Sequence, residues 1–153
     1  MNVSLRTFRI FDTLPVEYID LLAPIFKYYR CPSGTVILQQ GKRADYLYLV
    51  VSGSAEVLYK PYDGDVIIIS HIEQGELFGW SAVLGSAYYT SSILATEPLE
   101  AVRVRGRDLR KICSKNPEVG NDLLERLANS VSWRLANANA QVKSILAKGL
   151  RES

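Results

Sequence analysis

The sequence predicts a mainly β chain with helices at both ends, its strands forming an antiparallel sandwich or barrel. Three observations carry this reading. From Lys27 to Arg105 the chain passes through short β-rich segments: KYYRC, TVILQQ, YLYLVV, AEVLYK, DVIIISHI, SSILAT and EAVRVR. Turn residues separate them at Pro32–Ser33–Gly34, Gly41, Ser52–Gly53, Asp63–Gly64 and Gly75. Ser-Gly and Asp-Gly between strands are hairpin signals, because glycine tolerates the positive φ of tight turns. After Gly106 the β pattern stops and a helical periodicity takes over.

The chain begins irregularly. Leu14–Pro15 then opens a short helix over Val16–Phe26, where Ile19, Leu22, Ala23 and Phe26 recur at threes and fours, as a one-sided helix requires. Beyond the strands, Arg107–Ser114 suits a short helix that ends near Asn116–Pro117. From Pro117 onward one long helix is expected. Leu124, Ala128, Val131, Leu135, Ala138, Val142 and Ile145 recur alternately at four and three, a period of 3.5 that marks a coiled-coil seam. The same alternation also fits a helix that merely covers a core. A second stripe, Leu123, Leu127 and Ser130, faces another direction and suits packing on the chain's own strands.

Composition narrows the function. With 153 residues, 48% hydrophobic and 22% charged, the chain is sized for one globular domain, or one domain plus a long helix. No apolar run approaches the ~18 residues of a membrane-spanning helix. The N-terminal stretch MNVSLRTFRIF does not read as a signal peptide. Cys31 and Cys113 are too far apart in sequence for a CxxC site and too few for a disulfide framework, so a cytoplasmic location is expected. His71 is the single histidine, which argues against a His-ligated metal centre and fits a strand residue with a satisfied hydrogen bond. No GxSxG elbow, P-loop or dinucleotide fingerprint is present. Catalytic residues, metal ligands and cofactors are therefore not expected.

Charge is segregated. Residues 61–102 hold six Asp/Glu and no Lys or Arg, whereas residues 103–153 hold eleven Lys/Arg against five Asp/Glu. The basic end reads as a solvated helical face, with a nucleic-acid surface as the alternative.

Three segments carry a family resemblance. They are GTVILQQG at Gly34–Gly41, Asp45–Tyr48 followed by VVSGSAEV at Val50–Val57, and IEQGELFG at Ile72–Gly79. With the order of elements, they resemble the cyclic-nucleotide-binding domain of the catabolite activator and fumarate/nitrate regulator family. The resemblance implies an antiparallel β-roll (a jelly-roll, or double-stranded β-helix) with a long C-terminal dimerisation helix. It divides the chain into a helical lead-in over 1–26, the β-roll domain over 27–116 and the dimerisation helix over 117–153. Gly75–Gly79 would open the phosphate-binding cassette, with a short helix at Gly79–Leu84 and Ser81 near its start.

The family's nucleotide binders place a glutamate just after the cassette glycine, for the ribose hydroxyl. Further along they place an arginine, for the cyclic phosphate, followed by Ser or Thr and then Ala. On this chain those positions fall on Trp80, then Thr90, Ser91 and Ser92. Ser70 keeps a polar position that family members use for the ligand. The Thr-Ser pair that meets adenine in the catabolite activator falls on Ala138 and Asn139. The candidate ligand-binding set is thus Ser70, Gly79, Trp80, Ser81, Thr90, Ser91, Ser92 and Asn139. Losing one partner of a buried charged pair costs ~2–5 kcal/mol, so tight binding of cAMP or cGMP is not expected. Trp80, Tyr88 and Tyr89 form either an aromatic platform for another ligand or simple rim packing.

The expected function is a stand-alone sensory module for signal transduction. It would act as a homodimer, through a protein partner or a small-molecule ligand. The chain stops at Ser153, directly after the seam helix, so no DNA-binding domain is expected. Two alternatives remain: a DNA-associated regulator using the basic C-terminal segment, and a cupin-like enzyme, against which the single histidine argues.

Overall fold

In the computed structural model of the chain, the described residues are 5–79, 81–84, 87–127 and 129. Trp80, Asn139, Ser130 and the seam residues Ala128, Val131, Leu135, Ala138, Val142 and Ile145 lie outside them.

Eight strands form an antiparallel β-roll of two four-stranded sheets. The first sheet has the order β1 (Phe26–Cys31), β8 (Leu99–Arg105), β3 (Tyr46–Ser52), β6 (Leu77–Phe78). The second has the order β2 (Val36–Leu38), β7 (Ser92–Ala95), β4 (Ala55–Tyr59), β5 (Ile67–Ile72). Helices α1 (Val16–Leu22), α2 (Ser81–Leu84), α3 (Gly106–Lys115) and α4 (117–127) complete the described chain.

Alternation along the strands makes two cores from one sheet. On β3, Leu47 and Leu49 join a cluster with Leu109, Leu123 and Leu127, on the helical side. Tyr48 and Val50 point the other way and pack with Val57, Ile72, Ile93 and Ala95 of the second sheet. On β8, Val102 and Val104 take the helical side, and Leu99 and Ala101 the space between the sheets. The stripe Leu123 and Leu127 is buried, while Leu124 beside it is 43% exposed.

Several expectations need correction. The first helix stops at Leu22 instead of reaching Phe26; Ala23–Ile25 is a 3₁₀ turn and Phe26 already belongs to β1. Pro24 has no N–H to continue the α ladder, which ends a pattern that apolar spacing alone extends. The irregular start contains two 3₁₀ turns, Leu5–Thr7 and Arg9–Phe11, and its Leu5, Phe8, Phe11 and Leu14 are buried in the helical-side core. Strand β6 was not anticipated. The basic C-terminal residues are not all a solvated face: Arg126 bonds the Asp122 carboxylate at 2.7 Å, the Ile10 carbonyl at 3.1 Å and the Thr13 hydroxyl at 2.7 Å. It ties α4 to the lead-in. His71 lies on β5, as expected of a strand residue, and is exposed.

Candidate ligand-binding cassette

The cassette begins at the turn between β5 and β6. The Glu76 carboxylate accepts the Glu73 N–H at 3.0 Å, and the Glu76 N–H donates to the Glu73 carbonyl at 3.1 Å. Gly75 donates to the Val50 carbonyl at 2.9 Å and Val50 returns a bond to Glu76 at 2.9 Å, clamping the turn on β3. Gly75 and Gly79 have φ of +87° and +84°, the left-handed region where a side chain is strained. At Gly79 the backbone also passes close to β3. A Cβ there would run into the Tyr46 carbonyl oxygen. Two features therefore demand glycine at Gly79, and one at Gly75.

Helix α2 follows, opened by Ser81, with the Ala82 N–H donating to the Gly79 carbonyl at 3.2 Å. The Arg110 guanidinium of α3 donates to the Ala82 carbonyl and so holds α2 from outside.

The returning segment is fastened by Tyr89. Its ring is buried among the residues between the sheets. Its hydroxyl donates to the Tyr46 carbonyl at 2.8 Å and accepts the Tyr46 N–H at 2.9 Å. Its backbone bonds Lys42 and Gly41, each at 2.9 Å. Burial pushes the Tyr89 phenol pKa up. Tyr88, by contrast, is 61% exposed, so the two adjacent rings do not share one surface.

Among the sequence-predicted residues, Thr90 is exposed and Ser91 half-buried, both in the bend before β7. The Ser92 hydroxyl accepts the Gln40 N–H at 2.8 Å, which joins β7 to the segment after β2. Ser70 stands opposite Val57 on β4, and Val57 stands opposite Ile93 on β7. Directly opposed residues share a face, so Ser70 lies on the face turned toward the first sheet. Ser92, one residue before Ile93, alternates to the other face. Gly79 and Ser81 thus stand between β6 and α2, Thr90 and Ser91 in the bend before β7, and Ser70 on the β5 face turned toward the first sheet.

Sequence reasoning missed what reaches the cassette from elsewhere. Lys42 and Arg43 pair with Tyr89 and Tyr88 through their backbones, and the Arg110 side chain bonds the Ala82 carbonyl of α2. It also missed an arginine set among rings. Arg103 lies 4.3 Å from the Tyr46 centroid and 5.0 Å from the Tyr29 centroid, and donates to the Tyr48 hydroxyl at 3.3 Å. Tyr48 stacks on Phe78 of the cassette, with centroids 4.7 Å apart. Burial raises the Tyr48 pKa, and Arg103 partly offsets this. The period-two pairs Tyr46/Tyr48 and Arg103/Arg105 were the available signal.

Comparison with known proteins gives a consistent result. The family profile described as the cyclic nucleotide-binding domain matches residues 29–116. The cAMP-activated global transcriptional regulator CRP of Pasteurella multocida is 29% identical over 118 residues, covering 76% of this chain and 54% of that protein. The Cyclic AMP receptor protein of Thermus thermophilus is 29% identical over 119 residues, covering 78% and 55%. The chain spans about half the length of the curated relatives it matches. Among solved structures, a Geobacter metallireducens GS-15 protein described as cyclic nucleotide-binding superposes with a TM-score of 0.77 at 31% identity, over 88% of this chain and 99% of that one. The Thermus thermophilus Catabolite Activator Protein gives 0.72 at 26% identity, over 89% and 62%.

Proposed function

Because this chain belongs to the cyclic nucleotide-binding domain family, we propose that it is a non-catalytic ligand-sensing module whose cassette keeps the family's shape without its two charged readers. The observation that carries this is Thr90. It occupies the position where the family's nucleotide binders place arginine, it is exposed, and residues 61–102 contain no cation to replace it. Trp80 stands where the ribose-binding glutamate would be. An arginine engages phosphate through two parallel charge-assisted bonds, and a threonine hydroxyl offers one neutral bond. From residues 61–102 a cyclic phosphate at this cassette would meet hydroxyls such as those of Thr90 and Ser91 and backbone N–H groups, and no cation.

The geometry around this gap supports a working scaffold. Gly75 and Gly79 hold left-handed turns, and Tyr89 locks the returning segment to β3. A ligand other than cAMP or cGMP, or a protein partner, would then be what the module senses. The module works as a homodimer through the helix that begins with α4. In support, Leu123 and Leu127 face inward while Leu124, the first seam residue, remains 43% exposed. Among the described residues no helix is long and apolar enough to cross a membrane, and the reading places the module in the cytoplasm.

The test is gain of function. The double variant Trp80→Glu, Thr90→Arg restores both readers. Calorimetry should then detect cAMP binding that the wild type lacks. A double variant that melts like the wild type and still binds no cAMP would show that more than two side chains has been lost.

A further inference from the structure

The end of β8, the start of α3 and the segment leading into β3 enclose a cleft of about 460 Å³. Four arginines line it, Arg43, Arg105, Arg107 and Arg110, together with Asp45 and Tyr88. The cassette residues Gly79, Ser81, Thr90, Ser91 and Ser92 are not part of its lining.

Two carboxylates partly balance this charge. Asp45 approaches Arg43 at 3.4 Å, and Asp108 approaches Arg107 at 3.6 Å. Both pairs are solvent-exposed, so each is weakly bound and easily exchanged. The other two arginines rest on neutral oxygens: Arg105 on the Tyr46 hydroxyl at 2.8 Å, and Arg110 on the Ala82 carbonyl. These acceptors orient the guanidiniums without neutralising them. Four cations facing two carboxylates leave two positive charges unbalanced in one cleft. Like charges held together repel, and a multivalent anion between them relieves that repulsion.

We infer that this cleft is a second ligand site, for a small molecule bearing two or more linked phosphates. Guanidinium forks match phosphate oxygens bidentately, and several forks converging from different elements suit several phosphates. The volume lies in the range of small-ligand pockets. A long nucleic acid fits less well, because the four arginines gather in one volume of about 460 Å³ instead of along an extended track. Tyr88, 61% exposed at the cleft, offers a ring for a base if the phosphates are carried on a nucleotide.

The site is tested by calorimetry on the full chain at fixed ionic strength, with tripolyphosphate and with ATP as separate probes. Tripolyphosphate should bind, and Arg105→Gln with Arg107→Gln should weaken it by at least ~30-fold. Lys27→Gln with Lys60→Gln, which removes equal charge away from the cleft, should leave affinity within about threefold, as screened distant charges do. Equal affinities for the two probes assign a free oligophosphate. Tighter ATP binding that Tyr88→Ala abolishes assigns a nucleotide. Amide shifts of Ala44, Ala87 and Tyr88 on titrating the wild type supply a readout independent of the variants. Absence of heat and of shifts at millimolar tripolyphosphate overturns the inference. So does equal weakening by the two variant pairs, or binding of a single-stranded oligonucleotide without binding of tripolyphosphate.

Discussion

Alanine at Gly75 and alanine at Gly79 should differ in cost although the two backbones are nearly the same. Their φ values are +87° and +84°, and a residue with a Cβ is strained in that region by about 1–2 kcal/mol. At Gly75 nothing lies within 4 Å of the added Cβ, so that strain is the whole effect. At Gly79 the Cβ presses on the Tyr46 carbonyl oxygen and meets Leu38 Cδ1 and Leu47 Cα, each at 3.4 Å. Leu47 is 1% exposed and its strand is central, so the clash cannot be relieved by a surface side chain moving. Overpacking of this kind costs about 1–3 kcal/mol. Gly75→Ala should therefore lose about 1–2 kcal/mol and Gly79→Ala about 2–5 kcal/mol. For a chain of this size the difference is roughly 2–12 °C in Tm. Urea unfolding followed by far-UV circular dichroism measures both, with unchanged m-values as the check on two-state behaviour. Equal losses would refute the idea that close approach of the cassette to β3 is what reserves Gly79.

Other consequences follow from the same packing. Tyr89→Phe leaves the Tyr46 N–H and carbonyl without their hydroxyl partner and should cost about 1–3 kcal/mol, read as a lower Tm; an unchanged Tm would contradict the role given to that hydroxyl. Burial raises the folded-state pKa of Tyr29, Tyr48 and Tyr89 above the ordinary phenol value, so the fold favours their neutral forms. That stabilisation is complete below about pH 10, the unfolded value, and is lost as pH rises through the raised values. Thermal melts should fall steeply above about pH 10, and a flat Tm there would contradict the assignment. Leu135→Asp with Val142→Asp should convert a dimer to monomers in sedimentation equilibrium; a wild-type chain already monomeric would mean that the seam only covers the roll.

The strands and their turns were legible because they rest on local chemistry. Of the glycines read as turn residues, Gly34, Gly41, Gly53 and Gly75 adopt positive φ and Gly64 does not. The split between Leu123/Leu127 and Leu124 was legible for a similar reason, since helical spacing sorts residues into faces. Strand β6 was not, because Leu77–Phe78 is too short to show alternation and exists only by pairing with Leu49 and Tyr48. The end of α1 was lost because Ile19, Leu22 and Phe26 keep helical spacing straight through Pro24. At the cassette, Trp80 and Thr90 were visible as residue types. The bonds that fasten it were not, because the Lys42–Tyr89 backbone bond and the Arg110–Ala82 bond join distant segments that no periodicity links. The setting of Arg103 among Tyr29, Tyr46 and Tyr48 required three strands to come into register.

Calorimetry of the wild-type chain with cAMP, and with cGMP beside it, tests most directly whether the cassette has lost its nucleotide chemistry while keeping its shape. Two missing charged contacts weaken binding by about 3–6 kcal/mol relative to a cassette that has both. The predicted result is a dissociation constant weaker than about 100 μM for either nucleotide. A dissociation constant below about 1 μM would contradict it.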